Sequence, residues 1–271
     1  MIPEQSVSRN AWLLTLSMVL AVTAGCAGRP ASDGPGTGGA TTPPVEPVPR
    51  HEPRSRYGNG PVYEVLGHRY EVMRSGNGYR ERGVASWYGK KFHGKPTSSR
   101  EPYDMYAMTA AHKTLPLPSY VRVTNLGNNR SVVVRVNDRG PFVANRIIDL
   151  SFAAAEQLDM IRNGTALVEI TAVDSNEPAQ SVRSEDPPEP QLPDARTFVQ
   201  VGAFGDAENA RRRLTMLRDG GIEPLFLHED SAASPALYRV RIGPIADVVQ
   251  YDSIVEQLQR LGISETHLVS E

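Results

Sequence analysis

Two carboxylates stand where a reacting molecule could meet them. Glu101 lies in the polar, turn-rich stretch SSREPYDM, and Asp138 ends the run VVVRVND just before Arg-Gly-Pro. One carboxyl can deliver or take a proton, and a second can stabilise positive charge that develops as a bond breaks. A third acid, Asp149 in RIIDLS, comes just before a helix start. Its expected role is structural, accepting hydrogen bonds at the helix entrance. His112 in TAAHKTL suits either orienting a carboxylate and contacting ligand, or closing a strand as a satisfied histidine. Trp87 and Tyr88 offer faces for stacking, although strand aromatics more often join a core. Residue types alone leave these alternatives open, because a Glu in a polar loop is usually solvated and an Asp before Arg-Gly-Pro usually shapes a turn. Neither a metal nor a cofactor is expected: His93 and His112 match no ligand spacing, and no cysteine lies near them.

The elements that must hold these residues read as mainly β. Strands are expected at 84–88, 106–111, 120–126, 130–137, 146–150 and 166–173, with Gly127-Asn128-Asn129 forming a hairpin signal. One helix falls between the last two strands. Ser151 is its natural N-cap, and FAAAEQLDM places Phe152, Ala155 and Leu158 on one face. About six short strands and one helix suggest a small closed barrel. Residues 61–82 alternate short apolar pairs with turn residues and read as irregular or edge structure leading into it.

The 271-residue chain carries more Gly and Pro than packed domains need, 23 and 22, concentrated before and after the barrel region. The formal net charge of -2 favours no partner class, but residues 83–173 hold 11 Lys/Arg against 7 Asp/Glu, a mildly basic balance that suits an anionic polymer. Cys26 is the one cysteine, so no internal disulfide can form. It follows the apolar run AWLLTLSMVLAVTA, which has the length of a signal-peptide core rather than of a membrane span. The stretch ending Ala24-Gly25-Cys26 resembles a bacterial lipobox, with Thr23 where Leu, Val or Ile is usual. That resemblance implies acylation of Cys26. Ala27 implies sorting to the outer membrane, with the cell membrane as the alternative address. Residues 26–61 then read as a flexible tether.

At this point a family resemblance emerges. GVASWYG, FHGKPT, EPYDM, TAAHKTLP, VRVTNL, VVVRVNDRGPF, RIIDLS and AAAEQL together resemble the rare lipoprotein A family. The resemblance implies a double-psi β-barrel over residues 62–174, lead-in included. It also implies lytic transglycosylase activity on peptidoglycan, with Glu101 and Asp138 at the family's acidic positions. Glu101 is then the expected acid/base, Asp138 the stabiliser of an oxocarbenium-like state, and His112 their neighbour. Trp87 and Tyr88 are expected to contact sugar. The alternatives are an expansin-like barrel that grips glycan without cutting it and a hydrolase with ordinary reducing ends. Arg100 stands where the family usually has Gly before the Glu, and Gly permits torsions that Arg does not.

A Pro-rich acidic linker, 175–194, leads to a second domain over 195–271 that reads β-α-β-β-α-β. Asp206 caps a helix over 207–219, and a second helix is expected over 245–261. The strands FVQVGAF and YRVRIGPI resemble the SPOR domain, a ferredoxin-like module that binds glycan strands stripped of stem peptides at division sites. Gln200, Phe204 and Arg239 match positions lining its glycan-binding sheet face. The same element order occurs in an RNA-recognition fold, but that module needs stacking aromatics on a basic strand, and this domain is net acidic. No nucleic-acid partner is expected. The reading is thus residues 1–25 as signal peptide, then tether, barrel, linker and SPOR domain. The chain is expected to be a monomer, lipid-anchored on the periplasmic side of the outer membrane at the septum, with glycan strands as partner.

Overall fold

The computed structural model describes residues 44–173, 196–230, 233 and 235–270; Cys26, the signal segment and the 175–194 linker lie outside them. The lead-in is more regular than its composition suggests. Strands β1 (Val62–Val65) and β2 (His68–Glu71) form an antiparallel hairpin over Leu66-Gly67. Six strands follow: β3 (Arg80–Trp87), β4 (Thr109–His112), β5 (Ser119–Asn125), β6 (Ser131–Asp138), β7 (Arg146–Leu150) and β8 (Thr165–Ala172). They close into a barrel in the order β3-β7-β4-β6-β5-β8. The pairs β3–β7 and β4–β6 are parallel and the rest antiparallel. Two parallel pairs interleaved in one small closed sheet require crossing connections, which is the double-psi arrangement.

Alternation sorts the side chains. Val121, Val123, Val132, Val134, Val136, Ile148, Leu150, Val168 and Ile170 fill the interior and are buried. Helix α1 (Phe152–Gln157) packs on this core through its alanines, with Ser151 Oγ accepting the Ala154 amide. Gly83 is required on β3, because a Cβ there would stand 2.5 Å from Ile147 Cγ2. One register shift matters more. Between β4 and β6, Ala110 opposes Val136 and Ala111 opposes Asp138, so Asn137 is an extra residue. This bulge turns Asp138 onto the outer face beside Ala111, where strict alternation would have sent it inward.

The second domain contains β9 (Thr197–Phe204), α2 (Ala207–Asp219), β10 (Leu225–Asp230), β11 (Leu237–Ile242), α3 (Val248–Arg260) and β12 (His267–Ser270). Its antiparallel sheet has the order β10-β11-β9-β12. Asp206 caps α2 as expected, while Asp247 caps α3, so Ile245 precedes the second helix instead of opening it. The barrel does not stand apart from this domain. Val84 and Leu167, on the barrel's outer face, join the core that holds Val199, Ile242 and Leu258. Arg146 of β7 forms a two-pronged ion pair with Asp252 of α3, at 3.2 and 3.0 Å.

The expected tether also changes character. Residues 44–61 lie along the barrel: the Ser55 amide donates to Leu117 O at 2.8 Å, and Asn59 bonds Leu117 through both its amide nitrogen and its carbonyl oxygen. Composition reads this stretch as solvated because it has few apolar residues, but its polar groups find partners on the barrel.

Candidate active site

Three carboxylates lie along one outer strip of the barrel. β4 runs between β6 and β7, so Ala111 faces Asp138 on one side and Asp149 on the other. The two acids are two strand spacings apart, roughly 9.5 Å between Cα atoms. Between them the surface is low. Gly140 has φ +142, a conformation that favours glycine, and a Cβ there would stand 3.8 Å from Ala111 Cβ and 3.9 Å from Asp149 Oδ2. Glu101 lies beyond Asp138 and accepts from Asn137 Nδ2 at 2.9 Å.

The three environments differ. Glu101 is clamped by Arg135, whose Nη1 and Nη2 donate to its two carboxylate oxygens at 2.7 and 3.0 Å. Burial works to raise its pKa, but the hydrogen bonds from Arg135 and Asn137 and the Arg135 charge overcome this and hold it below the ordinary range. Asp138 Oδ1 accepts three donors: the Ser98 amide at 2.8 Å, Ser98 Oγ at 2.6 Å and the Arg139 amide at 2.7 Å. Asp149, on β7, accepts from Ser86 Oγ on the neighbouring β3. Burial pushes its pKa up, and the Ser86 bond and the charges of Arg146 and Lys113 only partly offset that. The helix-entrance role expected for Asp149 belongs to Ser151 instead: Asp149 points out of the barrel at the strip, between the inward-facing Ile148 and Leu150.

His112 stands away from this group. It follows Ala111 on β4, so alternation turns it to the opposite face, where it is 2% exposed. Its Nδ1 accepts the Thr114 and Leu115 amides, and its Nε2 lies 2.9 Å from the Tyr79 hydroxyl and 3.9 Å from Glu81. The satisfied strand-end reading fits this histidine. Trp87 packs edge-on against Phe152 and the barrel core, a core role. Tyr88 stacks its ring on Tyr103 at 4.1 Å, so that face is occupied. Its hydroxyl is buried beside Thr109. Burial, Tyr103 and the Asp138 and Asp149 charges push that phenol up against the opposing effect of Thr109, which puts its electrostatic neighbourhood at the acidic strip.

Arg100 has φ +74, the left-handed region, so the position does need a glycine-like backbone and here an arginine adopts it. Its guanidinium lies over the Tyr57 ring at 5.4 Å; the cation on Glu101 is Arg135. Sequence reasoning missed Arg135, Ser98 and Ser86. For Arg135 a signal existed, a charge in the middle of the run VVVRV.

In the second domain, Gln200 and Arg239 share the sheet face opposite the helices, and Arg239 pairs with Asp230 at 2.7 Å. Phe204 does not join them. β9 has an extra residue at Val201, since Val240 opposes Gly202 and Arg241 opposes Gln200. After this bulge Phe204 turns to the helix side, packs on the domain core and lies under Arg213 of α2 at 5.7 Å.

A cavity of about 840 Å³ lies between the β5–β6 turn and the start of the second domain, and none of the three carboxylates lines it. The acidic strip is on the barrel's outer face, with Glu101, Asp138 and Asp149 each partly exposed. The chain's relatives agree with this division into parts. The lytic transglycolase domain family matches residues 80–170, and the SPOR domain family matches 193–267. Endolytic peptidoglycan transglycosylase RlpA of Pseudomonas aeruginosa strain UCBPP-PA14 is 37% identical over 257 residues, covering 76% of this chain and 75% of its own. The protein of that name from Vibrio cholerae is 40% identical over 216 residues, covering 79% and 78%. The one from Neisseria meningitidis serogroup A is 42% identical over 192 residues, covering 68% and 73%. This chain belongs to the endolytic peptidoglycan transglycosylase RlpA family.

Proposed function

We propose that this protein cuts peptidoglycan glycan strands internally by lytic transglycosylation, and that Asp149 carries the proton. The carrying observation is the unlike surroundings of the carboxyls at the two ends of the strip. Asp149 sits where burial favours the protonated acid, while Glu101 is held as a carboxylate by Arg135. Of the two, the carboxyl whose pKa is raised is the better proton donor, and the one whose pKa is lowered is the better standing charge.

The chemistry then balances without water. The Asp149 carboxyl gives its proton to the glycosidic oxygen, and the bond from that oxygen to the muramic anomeric carbon breaks. The muramic 6-hydroxyl attacks the anomeric carbon. Its proton returns to Asp149, leaving a 1,6-anhydro end and the original acid. The charges of Asp138 and Glu101 favour the oxocarbenium-like state.

The second domain's open face, with Gln200 and Arg239, supports binding of strands that have lost their stem peptides and hence recruitment to the septum. Cys26 acylation would tether the chain on the periplasmic face of the outer membrane. We take the working unit as a monomer.

Purified mature protein is incubated with peptidoglycan, with and without prior removal of stem peptides, and the products are analysed by mass spectrometry. Anhydro ends from denuded strands are the expected result. Hydrated ends would indicate a hydrolase, and intact strands with retained binding would indicate a barrel that grips without cutting.

A further inference from the structure

The segment leading into the barrel reaches the site itself. Arg135 is a single guanidinium shared by two carboxylates. Its Nη1 and Nη2 hold Glu101, while its Nε and Nη2 donate to the two oxygens of Glu52 at 3.0 and 2.9 Å. Glu52 lies outside the matched barrel family and arrives from the stretch expected to be a free tether. It is also bonded by the Tyr120 hydroxyl and lies 3.4 Å from Arg50 Nε. The residues after it are tied to both loops of the strip. Ser55 Oγ reaches Ser99 O, Tyr57 lies under Arg100, and Gly58 O accepts from Arg139 Nε at 2.8 Å. Gly58, at φ +76, passes so close that an added Cβ would stand 3.0 Å from Ser98 O.

We infer that residues 50–59 form one wall of the reaction cleft and that Glu52 is a positioning residue, holding Arg135 between itself and Glu101 and so fixing where the Glu101 carboxylate stands. Two carboxylates on one guanidinium leave the trio with a net negative charge next to Asp138. Without Glu52, Arg135 keeps its two bonds to Glu101 and serves that carboxylate alone, so its charge is no longer shared. The charged and titratable groups in contact with the trio are Arg50 on the same segment and Tyr120 of β5. The electrostatics run the same way. The Arg135 hydrogen bond, against burial, draws the Glu52 carboxyl down to about 2, and the Glu52 charge in turn opposes the lowering at Glu101.

This inference rests on the proposed chemistry for its kinetic readout, but its electrostatic readout stands alone. In Glu52→Gln the charge is lost and the shape kept. Glu101 is then expected to titrate at lower pH, followed by its side-chain ¹³C carboxyl resonance. The acidic limb of the pH–rate profile should move the same way. kcat should fall about tenfold, with KM changing by less than about threefold, because the fault lies in placement of a group acting in the transition state. Glu52→Asp, which keeps the charge, should return the limb towards its wild-type position. Thermal melting separates these effects from simple loss of fold. An unmoved Glu101 titration in folded Glu52→Gln overturns the inference whatever the activity. Wild-type protein that yields no anhydro ends overturns the proposed function and leaves the titration to decide the role of Glu52.

Discussion

The two ends of the acidic strip have the same kind of side chain and opposite electrostatics. At the Glu101 end a guanidinium stands at 2.7 Å and an amide at 2.9 Å, and the carboxylate is held charged. At the Asp149 end the hydrogen-bonding partner is a neutral hydroxyl, the nearest cations act only at a distance, and burial dominates. A carboxyl's task is therefore set by the cations that touch it and by its burial, more than by its place in a motif. The motif pointed to Glu101 as the acid, and its surroundings suit it to be the permanent charge.

The largest expected effect falls on the proton carrier. Asp149→Asn keeps an acceptor for Ser86 but carries no proton, so cleavage should drop by about 10²–10⁴-fold, measured as anhydro ends per unit time. The fold should not suffer at neutral pH. Asp149 binds protons better folded than unfolded, so its ionisation costs stability once pH rises above its unfolded value of 3.8, and the cost is complete above its raised folded value. Asn removes that cost, and the melting temperature at neutral pH should stay level or rise.

Glu101→Gln comes next. Losing one charge from the transition state should lower kcat by about 10–10²-fold, less than losing the acid. Its stability profile should change with the opposite sign. Glu101 is depressed below the ordinary glutamate value of 4.5, so its stabilising contribution is full above that pH and lost as pH falls through the folded value. Melting curves recorded across this range should show less acid-side decline in Glu101→Gln than in wild type. Equal slopes would mean that the Arg135 clamp does not operate in solution.

Much of this was legible in the sequence, and the misses have a common physical cause. The run of period-2 strands, the Ser151 and Asp206 caps and the β-α-β-β-α-β order all follow from local chemistry, and the structure has them. What local pattern does not reveal is a bulge. One extra residue at Asn137 puts Asp138 on the site face, and one at Val201 removes Phe204 from the open face of the second domain. His112 stands apart from the strip for the complementary reason: with no bulge between it and Ala111, alternation carries it to the interior side. The 44–61 segment was misread because composition reports missing apolar residues and says nothing of polar partners supplied by distant strands.

The second bulge gives a prediction of moderate size. Phe204→Ala should destabilise the C-terminal domain by about 3 kcal/mol as a core truncation, read from denaturant unfolding. Gln200→Ala and Arg239→Ala should instead leave stability nearly level and weaken binding of denuded glycan, each by about 0.5–1.5 kcal/mol.

The smallest effect is expected at Arg100. Replacing it with Gly relieves a left-handed backbone worth about 1–2 kcal/mol. It also loses the contact over Tyr57, about 0.5–1 kcal/mol, and frees the unfolded chain by about 0.4–1 kcal/mol. These nearly cancel, so stability should move by less than about 1 kcal/mol. The cleavage rate should change by no more than about threefold, because Arg135 and not Arg100 holds Glu101.

The division of labour along the strip can be read directly by following the ¹³C carboxyl resonances of Asp149 and Glu101 through one pH titration of the wild-type protein. The expected result is that Asp149 titrates above free aspartate while Glu101 titrates below free glutamate. Finding Glu101 raised and Asp149 lowered would return the proton to Glu101 and contradict the account.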